Sequence, residues 1–384
     1  MGTIVTRKVL HVFSATHRGG AETMIMNLYR NIDRSNLQFD FVSHKFDKSD
    51  YDDEILELGG NIYRINSLKK SGPIKYVRDL VRVIKENGPY VAVHSHTNIQ
   101  GGVVAFAAWL AGVKMRICHS HNTRWDSKNR LLYKIYAYLL KKMIAIFATD
   151  YLACGRDAAI SMFGKRNFLS GKVKVLNNAI DIEMFNGEVG CDVNQLKKDL
   201  NVPNDVMVLG HIGRFHDQKN HKFLIGFAKY LVKQKVNFIM LLVGEGELKT
   251  EIEQTVKSEN LTDYVKLLGV REDIPALMNM FDVFLLPSLY EGLPVVLIEA
   301  QATGTPCIIS SSITDEVDLG LGLIEKVELD NSYDKWYKAI IRAMQKSIPS
   351  DTKIRECIRK KGYDVKENAN KIMNYYLNGN QNIL

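Results

Sequence analysis

The stretch LYEGLPVVLIEAQATGTP, residues 289–306, places Glu291 and Glu299 at the two ends of an apolar segment that opens with Gly-Leu-Pro. A strand-like run, VFLLPS, precedes it. Pro294 suits the first residue of a helix, where its missing N–H costs nothing, and the free amides of such a helix start attract an anion. Glu299 lies four residues after Val295, hence on the same helical face. The stretch predicts a strand, a ligand-binding turn and a helix, with the glutamates contacting neutral hydroxyl groups beside an anion.

Strand-like and helix-like patterns alternate along the whole chain. One series begins at KVLHVFSA and a second at VMVLGHIG, with polar residues 181–205 between them as the expected linker. Short apolar runs separated by helices are typical of doubly wound parallel sheets. The fold class is therefore α/β, with an N-terminal domain over 1–185 and a C-terminal domain over 200–361. Ligands of such sheets bind beyond the carboxyl ends of the strands.

Size and composition exclude several classes of protein. The 384 residues are 46% hydrophobic and 24% charged, which suits two domains. Five scattered cysteines without a CxxC pair argue against a disulfide framework and a zinc knuckle, and favour a reducing compartment. The apolar run 130–148 contains three lysines, so we expect no membrane span. Core packing is the preferred interpretation of residues 131–147, and a helix at a membrane interface is the alternative. A cytoplasmic location is the expectation.

The positive charge is concentrated in the first half of the chain. Residues 1–180 carry 27 Lys and Arg against 14 Asp and Glu, whereas the remainder is net acidic. Residues 69–85 combine an apolar helical stripe with six basic residues. This pattern fits an anionic membrane surface, and a solvated helix is an equal alternative. No sequence pattern of a nucleic-acid-binding module is present, so nucleic acid is not an expected partner.

Arg214 and Lys219 lie in one loop after the strand-like run VMVLGHIG, before a helix. A guanidinium and an ammonium beside free helix amides can bind a diphosphate without metal. Two solvated loop cations are the alternative when this loop is taken alone. The turn GEGEL, which begins at Gly244, lets the backbone approach a ligand closely, although a Gly-x-Gly turn alone is weak evidence.

Two short motifs resemble metal sites. Histidines two residues apart end two strands, in HSHTN at 94–98 and HSH at 119–121, a spacing that can bind zinc. No accompanying Glu or Cys pattern is present, so ligand contacts are the preferred interpretation. Asp50 and Asp52 form an Asp-x-Asp motif, but they begin an acidic helix, where their charge complements the helix dipole. We therefore expect no metal.

The chain resembles the GT-B-fold glycosyltransferases of retaining family 4 (glycosyl transferases group 1), in particular those of capsular and exopolysaccharide biosynthesis. The resemblance covers essentially the whole chain and rests on HVFSATHRGGAE, HSHNT, GRFHDQKN, VGEGEL, LLGVREDI and EGLPVVLIE with its Glu-x7-Glu spacing. It implies two Rossmann-like doubly wound domains that face each other across a cleft. It also implies that a C-terminal helix, about 362–384, returns to the N-terminal domain. Residues 310–328 are less regular than the family pattern.

The resemblance implies roles for individual residues. Catalytic roles fall on Arg214, Lys219, Glu291 and one of His119 and His121, of which His121 is preferred. The residues implied to bind the donor lie in loops and are Gly19, Gly20, Arg214, Lys219, Gly244, Gly269, Val270, Arg271, Glu291, Gly292, Leu293, Pro294, Val295 and Glu299. The expected acceptor contacts are His94, His96 and Asn98.

The implied reaction is retaining transfer of a sugar from a nucleotide-sugar, with a UDP-sugar preferred, to a saccharide or lipid-linked saccharide. No carboxylate stands out as a nucleophile, so we expect departure and attack on the same face, without metal or cofactor. The protein would act in the cytoplasm, peripherally on the inner face of the plasma membrane. A sugar-nucleotide 2-epimerase of the same fold and a non-catalytic nucleotide-sugar-binding module are the alternatives.

Overall fold

A computed structural model describes residues 6–121, 131–185, 192–330 and 332–379. The chain divides into two compact units, Met1–Ala179 with Gly362–Leu384, and Ile180–Lys361. The described parts of the expected linker 181–205 contain two short helices, Ile182–Phe185 and Val193–Asp199. Residues 186–191 of that linker lie outside the described residues.

The first unit contains seven strands and eight α-helices in its described residues. The strands are β1 (Arg7–Phe13), β2 (Leu37–Ser43), β3 (Ile62–Arg64), β4 (Ala92–Ser95), β5 (Met115–Ser120), β6 (Asp150–Ala153) and β7 (Val173–Val175). The helices are α1 (Gly20–Asn31), α2 (Asp52–Glu57), α3 (Leu68–Asn87), α4 (Gly101–Leu110), α5 (Leu131–Phe147), α6 (Arg156–Phe163), α7 (Lys165–Leu169) and α16 (Val365–Asn378).

The seven strands form one parallel sheet in the order β3-β2-β1-β4-β5-β6-β7. The central strands β1, β2, β4 and β5 are mostly buried on both faces because helices cover the sheet, as the unbroken apolar runs predict, whereas the edge strands β3 and β7 are only partly buried. Helix α16 packs against α1 and contributes Ile372 and Tyr376 to the core beneath it. The last helix therefore belongs to the first unit although the second unit separates it from the rest.

Helix α5 is not the core helix that the sequence suggested. Leu140 and Ile144 are buried, but Ile135, Tyr138 and Ile146 are 48–68% exposed. The apolar residues of this helix are spread around its circumference, whereas α4 is the only neighbouring helix with extensive contacts among the described residues. Within the described ranges, no helix combines the length and the apolar character that crossing a bilayer requires.

The second unit contains six strands and eight α-helices in its described residues. The strands are β8 (Met207–Ile212), β9 (Phe238–Val243), β10 (Val265–Gly269), β11 (Val283–Leu286), β12 (Cys307–Ser310) and β13 (Ile324–Val327). The helices are α8 (Ile182–Phe185), α9 (Val193–Asp199), α10 (His221–Lys233), α11 (Lys249–Ser258), α12 (Ile274–Met280), α13 (Val295–Ala302), α14 (Tyr333–Met344) and α15 (Asp351–Lys360).

The second sheet is parallel, in the order β10-β9-β8-β11-β12-β13. The less regular residues 310–328 contain a 3₁₀ turn at Asp315–Val317 and then β13, which pairs with β12 along its whole length. The chain runs outward from β8 to β10 and then returns to place β11 on the other side of β8. The strand order therefore reverses between β8 and β11, where doubly wound sheets bind their ligands. Both units have the predicted Rossmann-like architecture.

Candidate functional site

The reversal of strand order in the second sheet brings together the two loops that the sequence singled out. Strands β8 and β11 pair in parallel, with Leu209 opposite Val283. Loop 213–220 follows β8 and loop 287–294 follows β11, so both leave the sheet at its carboxyl edge. The backbone N–H of Leu289 donates to the carbonyl of Gln218, at 2.9 Å, and joins the two loops directly.

Lys219 and Glu291 form an ion pair across this junction. Lys219 Nζ lies 2.6 Å from Glu291 Oε1, and the two side chains are only 16% and 8% exposed. Gln218 Nε2 donates to Glu291 Oε2 at 3.0 Å, so both carboxylate oxygens are engaged. A three-proton ammonium with one partner retains two donors. The pair thus orients a cation while leaving it able to bind an anion.

Two glycines allow the loops to pack this closely. Gly244 has φ +134, and a Cβ there would lie 2.2 Å from the carbonyl oxygen of Gly213. A Cβ on Gly213 would lie 3.1 Å from the Lys219 side-chain carbons Cδ and Cε. The aliphatic part of Lys219 therefore lies on the bare backbone of Gly213. Any larger residue at either glycine would displace the loop that carries the ammonium.

Arg214 and Glu299 have no polar side-chain partner among the described residues. Arg214 is exposed beside Gly213. Glu299 lies on α13 and is half-buried, and burial raises the pKa of its carboxyl group to about 7. An unpartnered carboxyl group whose charged form is destabilised by burial is a typical ligand contact.

Helix α13 begins one residue later than the sequence predicted. Its first residue is Val295, and Pro294 is the N-cap with φ −73 and ψ 100. The reason is that Pro294 retains an extended ψ, and its carbonyl accepts the N–H of Leu297. Among the described residues, no hydrogen bond is donated by the amides of Gly292, Leu293, Val295 and Val296. These amides are available to an anion at the start of the helix.

Residues 269–271 follow β10 and lie next to the turn after β9. Gly269 has φ +68, and its carbonyl accepts the N–H of Gly244 at 2.8 Å. Val270 is 60% exposed, whereas Arg271 makes a two-pronged ion pair with Asp273. The backbone of 269–270 is therefore accessible, while the Arg271 guanidinium is held by its own carboxylate.

In the first unit, all four predicted histidines belong to one buried cluster, which also contains His11 of β1. His96 lies between His11 and His121, with inter-ring N···N distances of 3.0 Å and 2.9 Å. His94 lies 3.2 Å from His119, and its other nitrogen is 2.6 Å from the hydroxyl of a helix α16 tyrosine. The cluster lies at the ends of β1, β4 and β5, and the reversal of strand order in this sheet falls between β1 and β4.

Burial keeps these imidazoles neutral. It lowers the pKa of His11 and of His121 to about 3, and the pKa values of the other three fall well below the ordinary value, first through burial and then through the neighbouring rings. The row His11–His96–His121 has three N–H groups and two inter-ring bonds. One end nitrogen must therefore carry an unused N–H, and both His11 Nε2 and His121 Nδ1 are buried without a partner in the described structure.

Two sets of three histidines have the chemistry of a metal site. The ligand atoms of His11, His94 and His96 lie within 4.8 Å of one another, as do those of His96, His119 and His121. His96 belongs to both sets, and both of its ring nitrogens are hydrogen-bonded to other rings. A metal ion would have to replace those bonds, so the arrangement favours a hydrogen-bonded row of rings.

The other predicted residues of the first unit are spread along its loops. Gly20 begins α1 and a Cβ there would meet open space, whereas one on Gly19 would touch the Glu22 carboxylate. Asn98 has φ 55 in the 3₁₀ turn Asn98–Gln100, and its Oδ1 is buried without a partner among the described residues. The other two members of HSHNT, residues 122 and 123, lie outside the described residues.

The Asp-x-Asp motif has a structural role. The Asp52 carboxylate accepts the hydroxyl of Thr16 at 2.6 Å and pairs with Arg64 at 2.5 Å. Asp50 accepts the backbone N–H of Arg18 at 2.9 Å. Both carboxylates anchor the loop after β1, and helix α2 begins at Asp52.

Three residues of these sites are not predicted from the sequence. Gln218 holds Glu291, His11 completes the histidine row, and Ser288 lies fully buried at the end of β11 with an unpartnered hydroxyl among the described residues. The sequence does contain a signal for His11. This histidine lies within the apolar residues of β1, and a buried histidine needs a hydrogen-bond partner. The sequence contains no such signal for Gln218 and Ser288.

Family models match both halves of the chain. The model described as "Glycosyl transferases group 1" matches residues 192–361. The model described as "Glycosyltransferase Family 4" matches residues 18–184. The first range includes all six strands of the second sheet, and the second range includes β2–β7 of the first sheet.

Several curated proteins are similar over most of their length. The putative glycosyltransferase EpsF of Bacillus subtilis is 44% identical over 96% of each chain. An Escherichia coli enzyme, UDP-Gal:alpha-D-GlcNAc-diphosphoundecaprenol alpha-1,3-galactosyltransferase, is 29% identical over 79% of this chain and 80% of its own. The capsular polysaccharide biosynthesis glycosyltransferase CapH of Staphylococcus aureus is 28% identical over 79% of this chain and 81% of its own.

The fold is also that of solved structures. The crystal structure of HepE from Anabaena in complex with UDP has a TM-score of 0.73 at 20% identity, and the match covers 96% of this chain and 98% of that one. The likeness in fold extends over both units, and it corresponds to the GT-B architecture.

The buried histidine row makes the stability of the first unit pH-dependent. Because the folded-state pKa values lie below the unfolded value of about 6.5, the unfolded chain binds more protons between about pH 3 and 6.5. Stability is therefore complete above pH 6.5 and is lost as the pH falls, by roughly 1.4 kcal/mol per pH unit for each histidine. Replacing His11 by Phe should reduce that slope by one proton in denaturant unfolding followed between pH 5 and 7. Phe39→Leu, which changes the ring packed against His11 but removes no titratable group, should keep the wild-type slope, and an unchanged slope for H11F would contradict the assignment.

Proposed function

This chain belongs to the glycosyl transferases group 1 family, the glycosyltransferases of polysaccharide biosynthesis, and from that premise we propose that it transfers a sugar from a UDP-sugar to a saccharide acceptor with retention of anomeric configuration. One observation carries the proposal. The Lys219–Glu291 pair, the exposed Arg214 and the unused amides at the start of α13 meet where the strand order of the second sheet reverses. These amides are those of Gly292, Leu293, Val295 and Val296.

The donor's diphosphate is assigned to the cations and amides of that junction. Lys219 keeps two N–H donors after pairing with Glu291, and Arg214 adds a planar fork. The amides at the start of α13 add the positive end of a helix dipole. These groups are fixed before the reaction starts, so they stabilise the charge that builds on the leaving phosphate without reorganising.

The two glutamates are assigned to hydroxyl groups. Glu299 has no partner among the described residues and accepts the ribose hydroxyls of the nucleotide. Glu291 positions Lys219 and accepts from the transferred sugar, while the backbone of 269–270 contacts the base. Contacts of Gly19 and Gly20 with the donor phosphates, and of Arg271, Leu293 and Pro294 with the donor, remain part of the proposal.

The proposed mechanism uses no enzyme nucleophile. Both oxygens of Glu291 are already engaged by Lys219 and Gln218, which supports a route in which the leaving phosphate accepts the acceptor's proton. The bond from the anomeric carbon to the phosphate oxygen breaks, and a bond to the acceptor oxygen forms on the same face. The acceptor's proton passes to the phosphate, so charge and atoms balance without metal or cofactor.

The acceptor is assigned to the first unit. Asn98 is the proposed contact of the acceptor's hydroxyl groups, because its Oδ1 has no partner among the described residues. The predicted contacts His94 and His96 lie nearby, but both ring nitrogens of each are bonded to other rings or to the Tyr376 hydroxyl, so they are not proposed as direct contacts. His121 is the proposed contact of the transferred sugar, and His119 is a less suitable candidate because it is fully buried. A lipid-linked saccharide is the proposed acceptor class, since the Escherichia coli relative acts on GlcNAc-diphosphoundecaprenol. UDP is the proposed carrier, since HepE was solved with UDP. The enzyme would act at the cytoplasmic face of an anionic membrane.

The ion pair gives the first test. Lys219→Met keeps the apolar part of the side chain over Gly213 but removes the charge, and we expect transfer to fall by about 10²–10³-fold. Glu291→Gln should lower transfer to a similar extent because the ammonium loses its orienting partner. Lys222→Ala, on the exposed face of the adjacent helix, is the matched control and should retain activity within about twofold. Activity of the Lys219 variant at the control level would refute the donor assignment.

Glu299 gives a second test, in proton release. Its pKa is about 7 in the free protein, and ribose hydroxyls that donate to the carboxylate must lower that pKa. Binding of a UDP-sugar should therefore release about half a proton at pH 7, and affinity should rise between pH 6 and 8. Calorimetry in buffers of different ionisation enthalpy measures this release. It should vanish in Glu299→Gln and persist in Glu253→Gln on α11. Release that persists in both variants would remove Glu299 from the ribose site.

The reaction itself gives a third test. A panel of UDP-sugars should yield a product whose anomeric configuration equals that of the donor, by proton NMR, and excess EDTA should leave the rate unchanged. Inversion, or loss of activity that magnesium restores, would contradict the mechanism. Conversion of UDP-N-acetylglucosamine without any acceptor would support the epimerase alternative, and tight donor binding without turnover would support the binding module.

A further inference from the structure

A large apolar groove lies on the first unit. It has a volume of about 980 Å³ and lies among α3, α4 and α5. Val77, Val103, Phe106, Leu139 and Leu140 form much of its lining. A groove of this size with an almost wholly apolar lining is suited to a hydrocarbon and not to a sugar or a nucleotide.

The rims of the groove are apolar and exposed. Ile74 on α3 is 86% exposed and Leu139 on α5 is 55% exposed. Helix α3 is kinked at Gly72, where φ is +73, and Pro73 and Ile74 follow directly at the groove. A contiguous exposed apolar surface of this kind marks an interaction site.

Basic side chains of α3 lie along one side of the groove. Lys69 is part of the lining, and Lys70, Lys75 and Arg78 are exposed on the same helix. Lys69 has no ion-pair partner among the described residues. An apolar groove with cations beside it is complementary to an amphiphile that has a long hydrocarbon chain and an anionic head group.

The groove reaches the turn that carries Asn98. Its lining includes Gln100, the last residue of the 3₁₀ turn that begins with Asn98. The apolar groove and the proposed sugar-binding turn are therefore neighbouring parts of one unit. A ligand that used both would carry its saccharide and its hydrocarbon on the two sides of an anionic link.

We propose that this groove binds the isoprenoid chain of a lipid-diphosphate-linked saccharide acceptor, with Lys69 beside the diphosphate and the Asn98 turn beside the saccharide. The inference rests on the proposed function, and it adds the site that recognises the lipid part of the acceptor. It commits to the acceptor's own chain as the occupant, because the cations and the sugar-binding turn lie at the same groove.

The first experiment compares acceptors that differ only in their tails. Ile74→Asp and Leu139→Asp, both at exposed positions, should raise KM at least tenfold for an acceptor with a long polyprenyl tail. They should leave KM unchanged for the same saccharide diphosphate on a short alkyl tail. Ile146→Asp is the matched control, because it is 68% exposed on the same helix but outside the groove, and its KM should stay within about twofold. An equal rise in KM for Ile146→Asp would indicate a general membrane contact, and it would overturn the assignment of the tail to the groove.

The second experiment does not depend on catalysis. A fluorescent polyprenyl diphosphate without saccharide should bind the wild type, with at least tenfold weaker Kd in Ile74→Asp and in Lys69→Glu and an unchanged Kd in Ile146→Asp. If the probe binds in this way but no acceptor is glycosylated, the groove stands and the proposed function fails. If glycosylation occurs but the probe binds all variants equally, the groove fails alone. A groove variant that converts a dimer into a monomer while probe binding is unchanged would assign this surface to a second copy of the chain.

Discussion

The pairing of β11 with β8 is the constraint on which the donor site depends. Both strands are parallel and buried, so the charged side chains that can bind a ligand lie beyond the carboxyl edge of the sheet. The reversal of strand order leaves the loops after β8 and β11 without a helix crossing between them. Lys219 and Glu291 come from these two loops and meet at 2.6 Å. The same topology places Asn98 and the histidine row at the corresponding point of the first sheet.

Much of the architecture was accessible from sequence because it depends on patterns that repeat. Apolar runs of strand length between helical patterns predict buried parallel strands, and both sheets follow that pattern. The Glu-x7-Glu spacing put Glu299 on the same face as the helix start, and α13 has Glu299 one turn after its first residue. The predicted first residue of α13, Pro294, differs from the observed one by a single position. The ψ angle of Pro294 depends on a local hydrogen bond.

The contacts between distant residues were less accessible. The sequence gives no reason for Lys219 to bind Glu291, because the two are far apart until the sheet forms. The prediction that α5 is a core helix is wrong, because apolar content alone does not bury a helix. Burial depends on which neighbouring elements cover it. Four of the five histidines form two local pairs in the sequence, 94/96 and 119/121, but in the fold His94 contacts His119 and His96 contacts His121 across neighbouring strands. His11 lies on a third strand and contacts His96. Neutral imidazoles need hydrogen-bond partners when buried, and in the first unit they supply one another.

Helix α16 returns to the first unit after the whole second unit has been passed, and it contributes Ile372 and Tyr376 to the core there. On the ribosome, residues 365–378 emerge only after every strand of the second sheet. Domains generally fold in the order of their synthesis. Here the first unit still lacks helix α16, which covers part of its core, when its seven strands are complete. The strands of the second unit are therefore synthesised before the first unit is complete, and the hydrophobic core beneath α1 can close only after α16 has been synthesised.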